Sequence, residues 1–384
     1  MKYRQLGRTG LQVSEISIGT EWLYKKRQED VRVLIEEAIA RGVNYFDISF
    51  NFEPFLQQLS SGIKPSRDKV LLTHHLGSSE YKRRYRKTRS IAECRRNLER
   101  FLTIMETDHT AILFIHFVHT GKDYEKVLQE GGVKDLALEL KKEGKARCIG
   151  ASTHHAEQAI EFAQSGIADL VMTQINLANH SSFRRKEFLE TCASTGTGVI
   201  AMKPFAGGRL LRKERTVAFA SYHTASHSVG KKKMPAEITP QRCLHYVLSL
   251  PGISAAVPGV ANLGELEDCL SYYSASEEEK DYSGLLKGFQ EYNSGECVYF
   301  NHCLPCPSGI DIGPMIRLYD MRDYLAPGQL RKEYSSFENR AGCCSQCGVC
   351  MERCPFDVDV IAKLREIDRY LCSEGDVHQA CNRG

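Results

Sequence analysis

Between residues 16 and 273 the chain alternates short β-rich runs with amphipathic segments, and this rhythm constrains the fold more than any other feature. The strand candidates are Ile16–Thr20, Val43–Ser49, Val70–His75, Ala111–His116, Arg147–Thr153, Leu170–Asn176, Gly198–Phe205 and Ile253–Val260. Most are continuous apolar runs, as expected for strands buried on both faces. Between them lie helical stripes such as Val31, Leu34, Ile35, Ala38 and Ile39, or Cys94, Leu98, Phe101 and Leu102. Several helices close at glycine, at Gly42, Gly144, Gly166 and Gly196. Eight strand–helix units in about 260 residues predict a (β/α)8 barrel of α/β class. A doubly wound sheet would need a Gly-rich phosphate turn after its first strand, and none is present.

The barrel accounts for residues 1–274 of the 384. Residues 275–296 are polar and read as a linker. From 297 to 384 cysteine, proline and glycine dominate, which predicts a second, small and mainly helical domain. The net charge of +3 gives no reason to expect a nucleic-acid or membrane partner. The basic runs at 82–87 and 231–233 are expected to be solvated loops. The opening MKYRQLGRTG has no apolar targeting core, so a cytoplasmic location is expected. In that reducing compartment clustered cysteines read as metal ligands rather than disulfides. Eight of the fifteen lie between Cys297 and Cys354. Cys94, Cys148, Cys192, Cys243 and Cys269 fall within helices or strands and are expected to be buried apolar groups.

Cys344, Cys347, Cys350 and Cys354-Pro355 follow the C-x2-C-x2-C-x3-C-P spacing of bacterial [4Fe–4S] ferredoxins. Zinc sites usually use two separated pairs instead. An upstream group holds Cys297, Cys303 and Cys306-Pro307. In two-cluster ferredoxins the last cysteine of each group crosses to the other cluster. One cluster then takes Cys344, Cys347, Cys350 and Cys306. The other takes Cys297, Cys303 and Cys354 and is one ligand short, because Phe300 stands where a cysteine is expected. Cys343, His302, Cys372 or solvent could fill the gap, or one iron could stay open to substrate at the barrel mouth.

Barrel enzymes build their sites at the C-terminal strand ends. Here these carry Asp47, His74 and His75, His116, Ser152 to His155, Gln174 and Asn176, and Met202 and Lys203. A carboxylate with several imidazoles suits proton transfer near neutral pH, and would also suit a divalent metal.

The opening MKYRQLGRTGLQVSEISIGT and the segments GVNYFDIS, TDHTAILFIH, GKARCIGAS and GVIAMKPFAGGRL resemble the aldo-keto reductase superfamily. The tail CLPCPSGIDI followed by CSQCGVCMERCP resembles its iron–sulfur branch, with a C-terminal ferredoxin-like 4Fe–4S domain. The resemblance implies carbonyl reduction with NADPH by an Asp, a Tyr acid, a Lys and a His. Asp47 and His116 match the Asp and the His, but Phe52 stands at the Tyr position and His74 at the Lys position. Ser152, Gln174 and Asn176 match positions around the nicotinamide, and Lys203 ends the neighbouring strand. Met202 replaces the stacking aromatic, and Glu265 replaces the Arg for the 2′-phosphate.

The leading expectation is an oxidoreductase that reduces or reductively cleaves a small organic substrate at the barrel mouth. Its electrons would come from two [4Fe–4S] clusters, fed by an external donor such as a ferredoxin or flavodoxin. Asp47, His74 and His116 would handle protons. Three alternatives stand beside it: an NADP(H)-dependent carbonyl reductase with Tyr24 or His74 as rearranged acid, a non-catalytic redox-sensing or electron-transfer protein, and a metal-dependent lyase.

Overall fold

The computed structural model describes residues 1–81, 84–118, 120–180, 184–211, 237–286, 297, 303–320, 322, 327–354 and 357–371. Phe300, His302, Cys372 and the 231–233 run lie outside these residues. The twelve strands, in chain order, are β1 (Tyr3–Gln5), β2 (Gln12–Ser14), β3 (Ile18–Gly19), β4 (Tyr45–Asp47), β5 (Leu71–Leu76), β6 (Ser78–Tyr81), β7 (Arg84–Lys87), β8 (Thr110–Ile115), β9 (Ala146–Ser152), β10 (Leu170–Gln174), β11 (Gly198–Met202) and β12 (Ile253–Val257).

Eight of them form one parallel sheet in the order β3-β4-β5-β8-β9-β10-β11-β12. Parallel bridges Ile16–Ala256 and Gly19–Gly259 join its two edges and close the barrel. Neighbours follow chain order, as strand–helix–strand units with one handedness require. The eight strands coincide with the eight expected runs, with β5 ending one residue later and β8 and β9 starting one residue earlier than expected. Their residues are almost all buried, which is why the runs lack alternation. Leu6, Val13, Tyr45, Ile112, Phe114, Met172, Ile200 and Val257 pack together in the core. The five scattered cysteines are buried with them, and burial pushes their thiols up, Cys94 to about 11 and Cys148 to about 12.

Two hairpins were not apparent in the apolar pattern. The antiparallel pair β1–β2 sits against the N-terminal strand ends. There Gly7, at φ +51°, lies so close to Gly198 that a Cβ would sit 2.2 Å from its amide nitrogen. Only glycine allows both that dihedral and that approach. The second pair, β6–β7, follows β5 directly. Of the 82–87 run expected as a solvated loop, 82–83 lie outside the described residues, and Arg84–Lys87 is a strand, with residues 85–87 exposed. Arg86 bonds Glu93 at 2.6 Å and Lys87 bonds Asp123 at 2.8 Å.

The chain divides into two compact units. The barrel unit comprises Met1–Leu177, Arg184–Gly208 and Thr239–Tyr282. The expected linker contributes a helical turn, Glu277–Lys280, capped reciprocally by Ser276 and Glu279. The described residues from Ser283 onward fall in the second unit. It contains helices Ile312–Asp320, Pro327–Ser335, Val349–Glu352 and Val360–Leu371, with Ile312, Met315, Ile316, Leu364 and Ile367 buried. No described helix is long and apolar enough to cross a membrane.

Candidate active site

A hydrogen-bonded row of four side chains crosses the mouth of the barrel. Asp47 ends β4 with its side chain largely buried. Its Oδ1 lies 2.9 Å from His75 Nε2, and the Thr73 hydroxyl donates to it at 3.3 Å. His75 Nδ1 lies 2.9 Å from His116 Nδ1. His116 Nε2 lies 2.7 Å from the Tyr85 hydroxyl. The His75 ring is stacked on Phe114 at 4.7 Å, which fixes its plane.

Strand geometry decides which histidine takes part. Successive side chains of β5 point to opposite faces, so Thr73 and His75 reach Asp47 together. His74 turns the other way, its ring 4.9 Å from Phe101 of helix Ile91–Met105. The expected Asp47–His74–His116 grouping is thus corrected: Asp47 and His116 meet through His75. Full burial, then the neighbouring His75 and Arg100, pushes His74 down to about 3. His116 is also held well below the usual imidazole range, first by burial and then by His75, Arg89 and Lys87. Both rings are therefore neutral at pH 7.

Phe52, at the position of the family's phenol, is buried and stacked on Tyr24 at 4.8 Å. Phe50 and Phe55 complete this aromatic group. The hairpin instead brings Tyr85 to the mouth, with 41% of the residue exposed. Sequence reasoning named both histidines but chose His74 over His75, and it missed Tyr85. The first choice could not be read from LLTHHL, a run buried on both faces with no hydrophobic alternation. The second had no apolar signal, since β7 reads RYRK.

The candidate cofactor residues stand on adjacent strand ends. Ser152 pairs in register with Met172, and Gln174 with Met202. Asn176 donates through Nδ2 to the Lys203 carbonyl at 3.1 Å, and Lys203 Nζ donates to His154 Nε2 at 3.2 Å. Glu265 lies in the first turn of helix Leu263–Leu270, which is capped by Asn262. Its carboxylate accepts from the Ala261 amide at 2.9 Å and from Asn262 Nδ2 at 3.1 Å. The positive end of this helix is thus neutralised by the chain's own carboxylate. These residues do not fit a 2′-phosphate, which would meet a negative charge where it needs a cation.

In the second unit the Arg353 guanidinium donates to the Pro305 carbonyl at 2.7 Å, joining the two cysteine segments. The Cys350 thiol is raised by burial and then by Cys344, Cys306 and Cys347 around it. Burial and then Cys297 raise the Cys303 thiol, with Cys350 and Cys354 contributing less. Cys343 is disulfide-bonded, which corrects the expectation that the clustered cysteines form no disulfide and removes Cys343 as a candidate fourth ligand. Among the described residues no three His, Cys, Asp or Glu side chains converge tightly enough to hold one metal ion.

Residues 15–285 match the Aldo/keto reductase family. The uncharacterized oxidoreductase YqkF of Bacillus subtilis (strain 168) is 23% identical over 285 residues, covering 70% of this chain and 90% of its own. YrpG of the same organism, also an uncharacterized oxidoreductase, is 24% identical over 307 residues, with the same coverage. Among solved structures, the holo form of aldo-keto reductase AKR11C1 from Bacillus halodurans superposes with a TM-score of 0.60 at 19% identity, over 76% of this chain and 96% of that one. The closed eight-stranded barrel, with Asp47 and His116 at its strand ends, agrees with a family match spanning most of the sequence: the chain belongs to the aldo/keto reductase family, a family of oxidoreductases.

Proposed function

We propose that this family member is an iron–sulfur oxidoreductase. It reduces or reductively cleaves a small organic substrate at the barrel mouth, with electrons from [4Fe–4S] clusters rather than from a bound nicotinamide. The observation that carries the reading is the grouping of the tail cysteines. Cys350 has Cys344, Cys306 and Cys347 as neighbours, and Cys303 has Cys297, Cys350 and Cys354. The two cysteine segments thus lie close together, and crossover spacing assigns them to two ligand sets. The donor set, cysteines at ferredoxin spacing, suits a cubane. Ligands of one zinc ion converge to about 2.3 Å from it, whereas each cubane thiolate binds a different iron, so the sulfurs stay apart.

On this reading Cys306, Cys344, Cys347 and Cys350 hold one cluster, and Cys297, Cys303 and Cys354 contribute three ligands to the other. The clusters supply single electrons, delivered by an external donor of ferredoxin or flavodoxin type. Within the barrel, Asp47, His75 and His116 orient and move protons. Ser152, Gln174, Asn176 and Lys203 line the strand ends where a substrate would lie.

Anaerobic reconstitution tests the reading. About eight irons and matching sulfide per chain are expected, with dithionite-reduced EPR signals characteristic of [4Fe–4S]+. A preparation that binds zinc but no iron would overturn it. Four irons would show that the upstream group holds no cluster of its own.

A further inference from the structure

We propose that Tyr85, carried to the mouth by the β6–β7 hairpin, is the residue that exchanges a proton with the substrate oxygen, and that Asp47, His75 and His116 form a relay behind it. The proposal deepens the oxidoreductase reading above and rests on it.

The hydrogen-bond inventory fixes the direction of the row. As a carboxylate, Asp47 can only accept, so His75 carries its proton on Nε2. With His75 neutral, its Nδ1 is an acceptor, and His116 donates to it through Nδ1. His116 Nε2 is left as an acceptor, and the Tyr85 hydroxyl donates to it. With both imidazoles neutral, each link from Asp47 outward follows from the one before. The row ends at Tyr85, a residue 41% exposed, while the two imidazoles between are almost completely buried. Only its outer end can meet a substrate.

In this form the relay is set to receive. A substrate hydroxyl gives its proton to Tyr85 while the Tyr85 proton passes to His116 Nε2. The His116 Nδ1 proton then passes to His75, and the His75 Nε2 proton to Asp47. One oxygen–hydrogen bond of the substrate breaks, and one forms on the Asp47 carboxyl. No electron moves in this step. Run backwards from protonated Asp47, the same shifts break the Tyr85 oxygen–hydrogen bond and form one on the substrate oxygen, as carbonyl reduction requires. The buried Phe52 ring offers no proton for either direction.

Two measurements on reconstituted holoprotein test this. In the first, imidazole 15N shifts report tautomers. His116 protonated on Nδ1 and His75 protonated on Nε2 are expected, with the His116 Nε2 resonance moving in Tyr85→Phe. His116 protonated on Nε2, or an unchanged spectrum in the variant, overturns the relay. The second uses methylglyoxal and 4-carboxybenzaldehyde as probes, reduced methyl viologen as donor, and alcohol product as the readout. Tyr85→Phe should lower kcat by ~100-fold or more, with KM changed less than about twofold and iron content unchanged. Full turnover by Tyr85→Phe, or its loss in Tyr24→Phe instead, overturns Tyr85 as the acid–base group. Absence of turnover in the wild type counts against the function reading alone, and the 15N pattern then decides the relay.

Discussion

His74 and His75 show how one position along a strand separates two fates. Both were visible in the sequence at the end of the third barrel strand, yet only β5's orientation tells which one faces Asp47. A run buried on both faces carries no hydrophobic alternation from which to read that orientation. The packing has a consequence for pH. The fold lowers the His74 pKa to about 3, so it favours the neutral ring. That stability is fully present above the unfolded value, about 6.5, and is lost as pH falls from there towards 3. His116 shifts in the same direction and adds to the loss. Melting temperature should therefore drop between pH 7 and pH 5. By pH 5 His74 alone accounts for about 2 kcal/mol. His74→Leu keeps an apolar group against Phe101 and removes this proton uptake, so its melting temperature should fall less over the same range. Parallel falls in wild type and variant would show that His74 does not titrate with unfolding.

At the scale of elements, the eight barrel strands were legible because burial on both faces writes continuous apolar runs. The β6–β7 hairpin was not, because charged contacts hold it, and such contacts leave no periodic signature. Glu93 is its main anchor. Burial works to raise its carboxyl, but bonds from Ser79, Thr88 and Arg86 prevail and hold it below the usual carboxylate range. Glu93→Ala strips the partners from all three and should cost about 1–3 kcal/mol, read by urea unfolding. Hydrogen exchange at 78–81 and 84–87 should rise while β8 and β9 stay protected. Equal change across the barrel would mean that Glu93 supports the whole fold rather than the hairpin. The helix at Leu263–Leu270 makes a separate prediction. NADPH should bind weakly or not at all by calorimetry, and Glu265→Arg should tighten whatever binding remains. The exchange turns repulsion into a charge-assisted contact worth ~1.5–3 kcal/mol. A micromolar dissociation constant in the wild type would restore the nicotinamide reading.

For the whole molecule, the barrel could be read from the alternation of runs, and the second unit announced itself only through its cysteine spacing. That unit has a small apolar core around Ile312, Ile316, Leu364 and Ile367, so a bound cluster would carry much of its stability. Chelating iron from the reconstituted protein should abolish hydrogen-exchange protection at 312–320 and 360–371 while strands β4, β8 and β9 keep theirs. Unchanged protection would show that the helices hold without metal. The barrel carries a different dependence, on order in time. Arg4 of the β1–β2 hairpin donates to the carbonyl of Leu248, 244 residues further on, and to that of Ile253. Gly7 rests on Gly198. A ribosome adding about 5–20 residues per second needs roughly 10–50 s to pass from one set of partners to the other. For that interval Leu6, Val13 and Ile16 have no finished surface to cover them. The growing chain must keep them from other nascent chains, and the last strand to be synthesised is the one that lets the earliest hairpin dock.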